Sequence, residues 1–197
     1  MTRGVVMVVY GEQAEISLNR AMTGLTDICP GLPVTIYREL ANGHTDMQCS
    51  RLAKVTMLDW TPYTYTAYLD ADCQVYQPID TGFQALGDGY DLAIAPSQNQ
   101  AEHDWLWHCG AEDKALTLAV LGFQALQLQA GVMFVAKTER TAALWACWRA
   151  EWERRHDQDQ GALLRALYQC PVKVWLLGHP YRGGAVVGHH FGAIRRG

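Results

Sequence analysis

The sequence predicts an α/β domain: a mostly parallel sheet with helices on both faces. Three observations carry that expectation. Apolar runs of strand length alternate with longer segments of helical period along the 197 residues. The first run, Val5 to Tyr10, is apolar almost without interruption, as a strand covered on both faces must be. The carboxylates Asp70 and Asp72 follow directly on a β-branched and aromatic run, at the strand end where open α/β sheets place ligands. The length suits one domain with a sizeable core, and neither a linker nor an internal repeat divides it.

The elements follow in order. After the strand Val5–Tyr10, a helix is expected over Glu15–Leu25, broken by Asp27-Ile28-Cys29-Pro30-Gly31. Val34–Tyr37 reads as a short strand. Asp46 caps a helix through about Leu58, with Met47, Leu52, Val55 and Leu58 toward the core and Arg51 and Lys54 together on another side. Thr64–Leu69 is a strand, which Cys73–Tyr76 resumes before Pro78, and Leu92–Ala95 is a buried strand closed by Pro96. The irregular stretch from Ser97 to Gly110, with His103, Asp104, Trp105, Trp107 and His108, reads as a functional loop. Beyond it come a helix over Glu112–Phe123, a strand over Val132–Ala136 and a helix over Glu139–Arg155, whose Trp145, Trp148 and Trp152 keep helical spacing and so belong to the core. Asp157 or Asp159 caps a helix through Tyr168; Val172–Leu177 and Ala185–His190 are the last strands.

Composition narrows the function. A hydrophobic fraction of 49% and a charged fraction of 18% describe an ordinary folded chain. The net charge of −4, with basic residues clustered only as Arg154-Arg155 and Arg195-Arg196, argues against a nucleic-acid partner. No stretch approaches the roughly 20 apolar residues of a transmembrane segment. The opening apolar run is too short for a signal peptide, so a cytoplasmic location is expected. The six cysteines are scattered without a CxxC pair and read as reduced thiols packed as small apolar groups. His103, His108 and Cys109 match no zinc-ligand spacing.

Chemistry concentrates at Tyr68-Leu69-Asp70-Ala71-Asp72. Two carboxylates separated by one small residue after a strand can lean toward one hard cation and leave positions open for a diphosphate. The stretch Pro62 to Asp72, followed by Val75 and Pro78-Ile79, resembles the DxD region of GT-A glycosyltransferases, in particular those similar to glycosyltransferase family 8. Other stretches resemble that family in the same order. Val5–Tyr10 is similar to its opening strand, whose end meets the nucleotide base, and Arg51 and Lys54 match a basic pair near the diphosphate. Gln129-Ala130-Gly131 is similar to the strand start that lines the sugar site, with Gln129-Ala130 standing where Asn followed by Ser or Thr is usual. Asp159-Gln160-Gly161 resembles the "DQ" helix start, and Val186 to His190 the terminal strand that supplies a metal-binding histidine.

The resemblance implies a GT-A (nucleotide-diphospho-sugar transferase) fold, Rossmann-like, with its sheet flanked by helices, and a metal-dependent hexosyltransferase acting on a UDP-sugar and a carbohydrate or other hydroxyl acceptor. It implies Asp70, Asp72 and His189 as ligands of Mn²⁺ or Mg²⁺. It further implies Tyr10, Arg51, Lys54, Asp70, Ala71, Gln129 and Gly131 as donor contacts, and Asp159 and Gln160 as reaction-centre residues. Neighbouring strand residues face opposite ways, so one of His189 and His190 reaches the site; a His beside two carboxylates suits Mn²⁺ better than Ca²⁺. An inverting route needs a general base, for which Asp159 is the candidate, and a retaining route needs none. Trp105 and Trp107 are candidates for stacking on a sugar or base. Two other functions stay open: a non-catalytic nucleotide-sugar or glycan-binding protein, and a sugar-nucleotide pyrophosphorylase, against which Gly11-Glu12-Gln13-Ala14-Glu15 stands where a Gly-rich, Arg-containing phosphate loop belongs.

Overall fold

The computed structural model describes residues 1–39, 41, 43–97, 106, 109–156 and 158–190. The loop residues His103, Asp104, Trp105, Trp107 and His108, the alternative cap Asp157 and the pair Arg195-Arg196 lie outside them.

The chain runs β1 (Arg3–Val8), α1 (Glu12–Ile28), β2 (Val34–Tyr37), α2 (Asp46–Val55), α3 (Met57–Trp60), β3 (Tyr65–Leu69), β4 (Cys73–Val75), α4 (Asp80–Gly87), β5 (Leu92–Pro96), α5 (Ala111–Leu121), β6 (Leu128–Ala136), α6 (Glu139–Glu153), α7 (Asp159–Gln169), β7 (Val174–Leu176), a 3₁₀ turn (His179–Tyr181) and β8 (Val187–His189). The main sheet has six strands in the order β2-β1-β3-β6-β5-β7. Five of them run one way, and β6 runs antiparallel between β3 and β5. Strands β4 and β8 form a separate antiparallel pair with Cys73 opposite His189.

Both faces of the sheet are covered, which is why β1 is apolar from Val5 to its end. Val5, Met7 and Val9 join the core layer of Leu18, Leu25, Phe83 and Phe134, while Val6 and Val8 join the layer of Met133, Trp145, Trp148 and Trp152. The three tryptophans are buried, as their spacing requires. No helix among the described residues is long and apolar enough to cross a membrane.

Several local expectations are corrected. Thr45, not Asp46, caps α2: its hydroxyl accepts the Gln48 N–H while the Gln48 side chain returns to the Thr45 N–H. The helix breaks at Thr56, whose hydroxyl donates to the Leu52 carbonyl at 2.8 Å, and Met47 is exposed rather than core. Strand β6 starts at Leu128, four residues earlier than its β-branched run, and so contains Gln129 and Gly131. Helix α4 escapes the sequence reading because its eight residues, two of them Gly, give a short and poor helical signal.

A buried ionic network joins α5, α6 and α7. Arg165 donates to Asp113 at 2.7 Å, to Thr117 at 2.6 Å and to Glu151 at 2.8 Å. Gly161 permits the close approach, since a Cβ there would lie 2.1 Å from Asp113 Oδ2. Removing the cation alone would strand the buried Asp113 carboxylate and leave Glu151 with only Arg154 and Gln169. Arg165→Leu is expected to lower unfolding free energy by about 3–5 kcal/mol in urea titrations.

Candidate metal and diphosphate site

The site forms where β3 ends. Asp70 follows the strand, its N–H bonded to the Gly131 carbonyl at 2.8 Å, and the chain turns at Ala71-Asp72 into β4. The pairing of β4 with β8 then carries His189 back over the turn. Its Nε2 lies 2.9 Å from Asp72 Oδ1 and 3.6 Å from Asp70 Oδ2. His190, the residue after β8, has its Nε2 2.8 Å from the Tyr76 hydroxyl and borders the same cleft, but His189 is the histidine that meets the two aspartates.

Gly131 makes room for this convergence. A Cβ there would sit 2.5 Å from both Asp70 Oδ2 and His189 Cε1. The missing side chain thus accommodates the carboxylate and the imidazole, a closer constraint than the sugar approach expected from the sequence. Asp72, Cys73 and His189 bring ligand atoms within 4.8 Å of one another. Burial, then the fields of Asp70 and Asp72, push the Cys73 thiol well above its usual range, and it donates to the Gly131 carbonyl at 3.6 Å. The donor set left for a cation is two carboxylates and one imidazole, which fits Mn²⁺ or Mg²⁺ chemistry.

Lys54 is the departure from a solvated helix face. It is buried, with Nζ 2.8 Å from Asp159 Oδ2, 3.2 Å from Asp70 Oδ1 and 5.0 Å from the centre of the Tyr68 ring. Burial lowers its proton affinity, but the attraction of Asp159 and then Asp70 outweighs it and holds the pKa above the ordinary lysine value. Asp70 Oδ1 also accepts the Tyr68 hydroxyl at 2.8 Å, a contact that the sequence reading missed although Tyr68 directly precedes Leu69-Asp70.

Asp159 opens α7, and its carbonyl accepts the Trp148 indole N–H at 2.8 Å; the Lys54 carbonyl accepts that of Trp145 at 3.2 Å. Core tryptophans therefore hold the backbones of both charged residues. Arg51 donates to Gln158 at 3.1 Å, ahead of Asp159. Gln160 Oε1 is buried without a partner among the described residues. Tyr10 donates its hydroxyl to the Glu39 carbonyl, and burial, then Tyr37, raises its pKa to about 12, so the ring is what it offers a ligand.

These groups line one cavity of about 620 Å³, which brings together Tyr10, Arg51, Lys54, Asp70, Ala71, Asp72, Asp159, Gln160 and His189. Gln13, Ser17 and Arg20 of α1 line it too, and no motif had marked them. Gln129 and Gly131 do not line it: Gln129 is 2% exposed and points its amide at His189 from behind.

No protein-family model matches the sequence, and no curated protein matches it. Solved structures do share its fold. The chain is similar to mouse xyloside xylosyltransferase 1 in its apo form, with TM-score 0.64, 11% identity and 100% of each chain covered. It is similar to a glycosyltransferase involved in the glycosylation of the major capsid of PBCV-1, with TM-score 0.61, 12% identity, and 98% of this chain and 94% of that one covered. It is also similar to the galactosyltransferase LgtC in complex with donor and acceptor sugar analogs, with TM-score 0.55, 12% identity, and 89% and 73% covered. The fold is the GT-A fold of nucleotide-sugar glycosyltransferases.

Burial works against the charged form of Asp72, but its hydrogen bond with His189 outweighs that and holds its carboxyl below the usual range. A depressed carboxyl stabilises the fold above its unfolded pKa and loses that contribution as pH falls through the folded value. Asp72→Asn is accordingly expected to flatten the acid limb of a stability profile measured by urea unfolding across pH.

Proposed function

We propose that the chain is a metal-dependent glycosyltransferase that moves a sugar from a nucleotide-diphosphate donor, a UDP-sugar in the first instance, to a hydroxyl of a glycan or other acceptor. The observation that carries this reading is the convergence of Asp70, Asp72 and His189 over the space left by Gly131, beside Lys54 and at the mouth of a cavity, on a GT-A sheet. The similar solved proteins, named as xylosyl-, galactosyl- and other glycosyltransferases, support the same class of reaction.

Asp70, Asp72 and His189 would hold Mn²⁺ or Mg²⁺, which supplies Lewis-acid stabilisation of the charge on a leaving diphosphate. Lys54, fixed by two carboxylates and kept protonated, adds a preorganised positive charge beside that position. Arg51 adds a second on the same helix, one turn away. Tyr10 lines the cavity two residues beyond β1, where its ring would be a stacking partner for a nucleobase. Asp159, beside Lys54, and Gln160 line the same cavity and would accept hydrogen bonds from sugar hydroxyls. Were transfer to invert the anomeric centre, Asp159 would be the candidate to take the acceptor proton. All six cysteines are free thiols, which agrees with a cytoplasmic location.

The test is calorimetric binding of UDP, GDP and their sugar conjugates with Mn²⁺ and then with EDTA. Binding that requires Mn²⁺ and disappears in Asp70→Asn/Asp72→Asn is expected; failure to bind any of them overturns the reading. With a donor identified, Lys54→Met is expected to lower kcat by about 100-fold or more, the scale of losing one charge partner of the transition state, while KM changes less.

A further inference from the structure

Gln129 is the side chain at this site that the proposed chemistry leaves unused. It sits on β6, 2% exposed and outside the cavity lining, with its amide nitrogen 2.5 Å from His189 Nδ1 and its Oε1 buried without a partner. On the other side of the same ring, Nε2 faces Asp72 Oδ1 at 2.9 Å and Asp70 Oδ2 at 3.6 Å. An imidazole binds a cation through a lone pair, so a cation at Nε2 requires the ring hydrogen on Nδ1, and Nδ1 then needs an acceptor. Without a cation the better arrangement is the reverse: Nε2–H donates to Asp72, and Nδ1 accepts from the amide. A primary amide serves both states, because a half-turn exchanges its NH₂ for its oxygen. The partnerless Oε1 is the group that half-turn would bring to Nδ1.

We propose that Gln129 is a positioning residue for His189, fixing the ring and its tautomer for cation binding by turning its amide from donor to acceptor. This rests on the metal-dependent reading of the site and reassigns Gln129 from the sugar contact implied by the sequence. A carboxylate at this place would serve only as acceptor, and an apolar side chain as neither.

The experiment is titration of the intact chain with Mn²⁺ alone, followed by calorimetry, for wild type, Gln129→Leu and Gln129→Glu. Gln129→Leu is expected to weaken Mn²⁺ binding by about 10- to 100-fold, the usual range for removing the outer partner of a ligating histidine, and Gln129→Glu to keep it near wild type. Equal affinity in wild type and Gln129→Leu overturns the proposal. ¹⁵N resonances of the His189 ring in the wild type, assigned with His189→Gln, supply a readout independent of folding of the variants. The hydrogen is expected on Nε2 without a cation and on Nδ1 with diamagnetic Cd²⁺ bound; a hydrogen that stays on Nε2 overturns it. Wild type that binds no Mn²⁺ sinks the metal-dependent reading itself, a result separable from the first because the cation-free spectrum still reports the Gln129 contact.

Discussion

The arrangement of the site depends on the buried ammonium of Lys54. Among the described residues it is the one cation within ion-pair distance of both Asp70 and Asp159, and those residues come from the end of β3 and the start of α7, far apart in the chain. A buried charge is tolerated only when it is paired and hydrogen-bonded. The three groups therefore constrain one another: moving α2, β3 or α7 alone would leave an unpaired ion in a largely dry setting. The sheet supplies directions for these elements, but the ammonium sets how closely the two carboxylates can approach.

Packing beneath the site serves the same end. Two indole N–H groups of α6 bond to the carbonyls of Lys54 and Asp159, so tryptophans that cover the sheet also hold the backbone behind each ion. An indole N–H buried without a partner would be costly, and these acceptors satisfy it. Gly131 and Gly161 act by absence. One leaves space for Asp70 and His189, the other for Asp113, whose bond to Arg165 docks α5 against α7. The rigidity needed at the cavity wall is thus built from the core outward.

How much of this the sequence discloses follows from the range of each interaction. The apolar run of β1, the carboxylates after β3 and the helical spacing of Trp145, Trp148 and Trp152 are local patterns, and each survives in the structure. The expectation that one of the two histidines meets the aspartates is local too, and His189 is the one that does. What stayed hidden is long-range. The resemblance marks Lys54 as a diphosphate contact, but nothing within its own helix tells that Asp70 and Asp159 will face it and bury it. Gln129 stands where the resemblance implies a sugar contact, and only the return of β8 shows its partner to be a ring 60 positions away. Helix α4 was illegible for a different reason: eight residues give barely two turns of periodicity.

The partners of the two motif aspartates differ, and the difference bears on how such a site would take up charge. Asp70 already has Oδ1 engaged by the Tyr68 hydroxyl and Lys54, with Oδ2 turned toward His189; Asp72 has Oδ1 on His189. Asp70 is thereby fixed in place by the core, while Asp72, on the turn into β4, depends on the imidazole. A dianionic diphosphate entering this cavity meets Arg20, Arg51 and Lys54, but it also meets Asp46, Asp70, Asp72 and Asp159, whose repulsion the three cations offset only in part. A divalent cation held by Asp70 and Asp72 would reduce that imbalance without moving Lys54. This is the electrostatic reason to expect donor binding and metal binding to be coupled here rather than independent, each strengthening the other by the same factor.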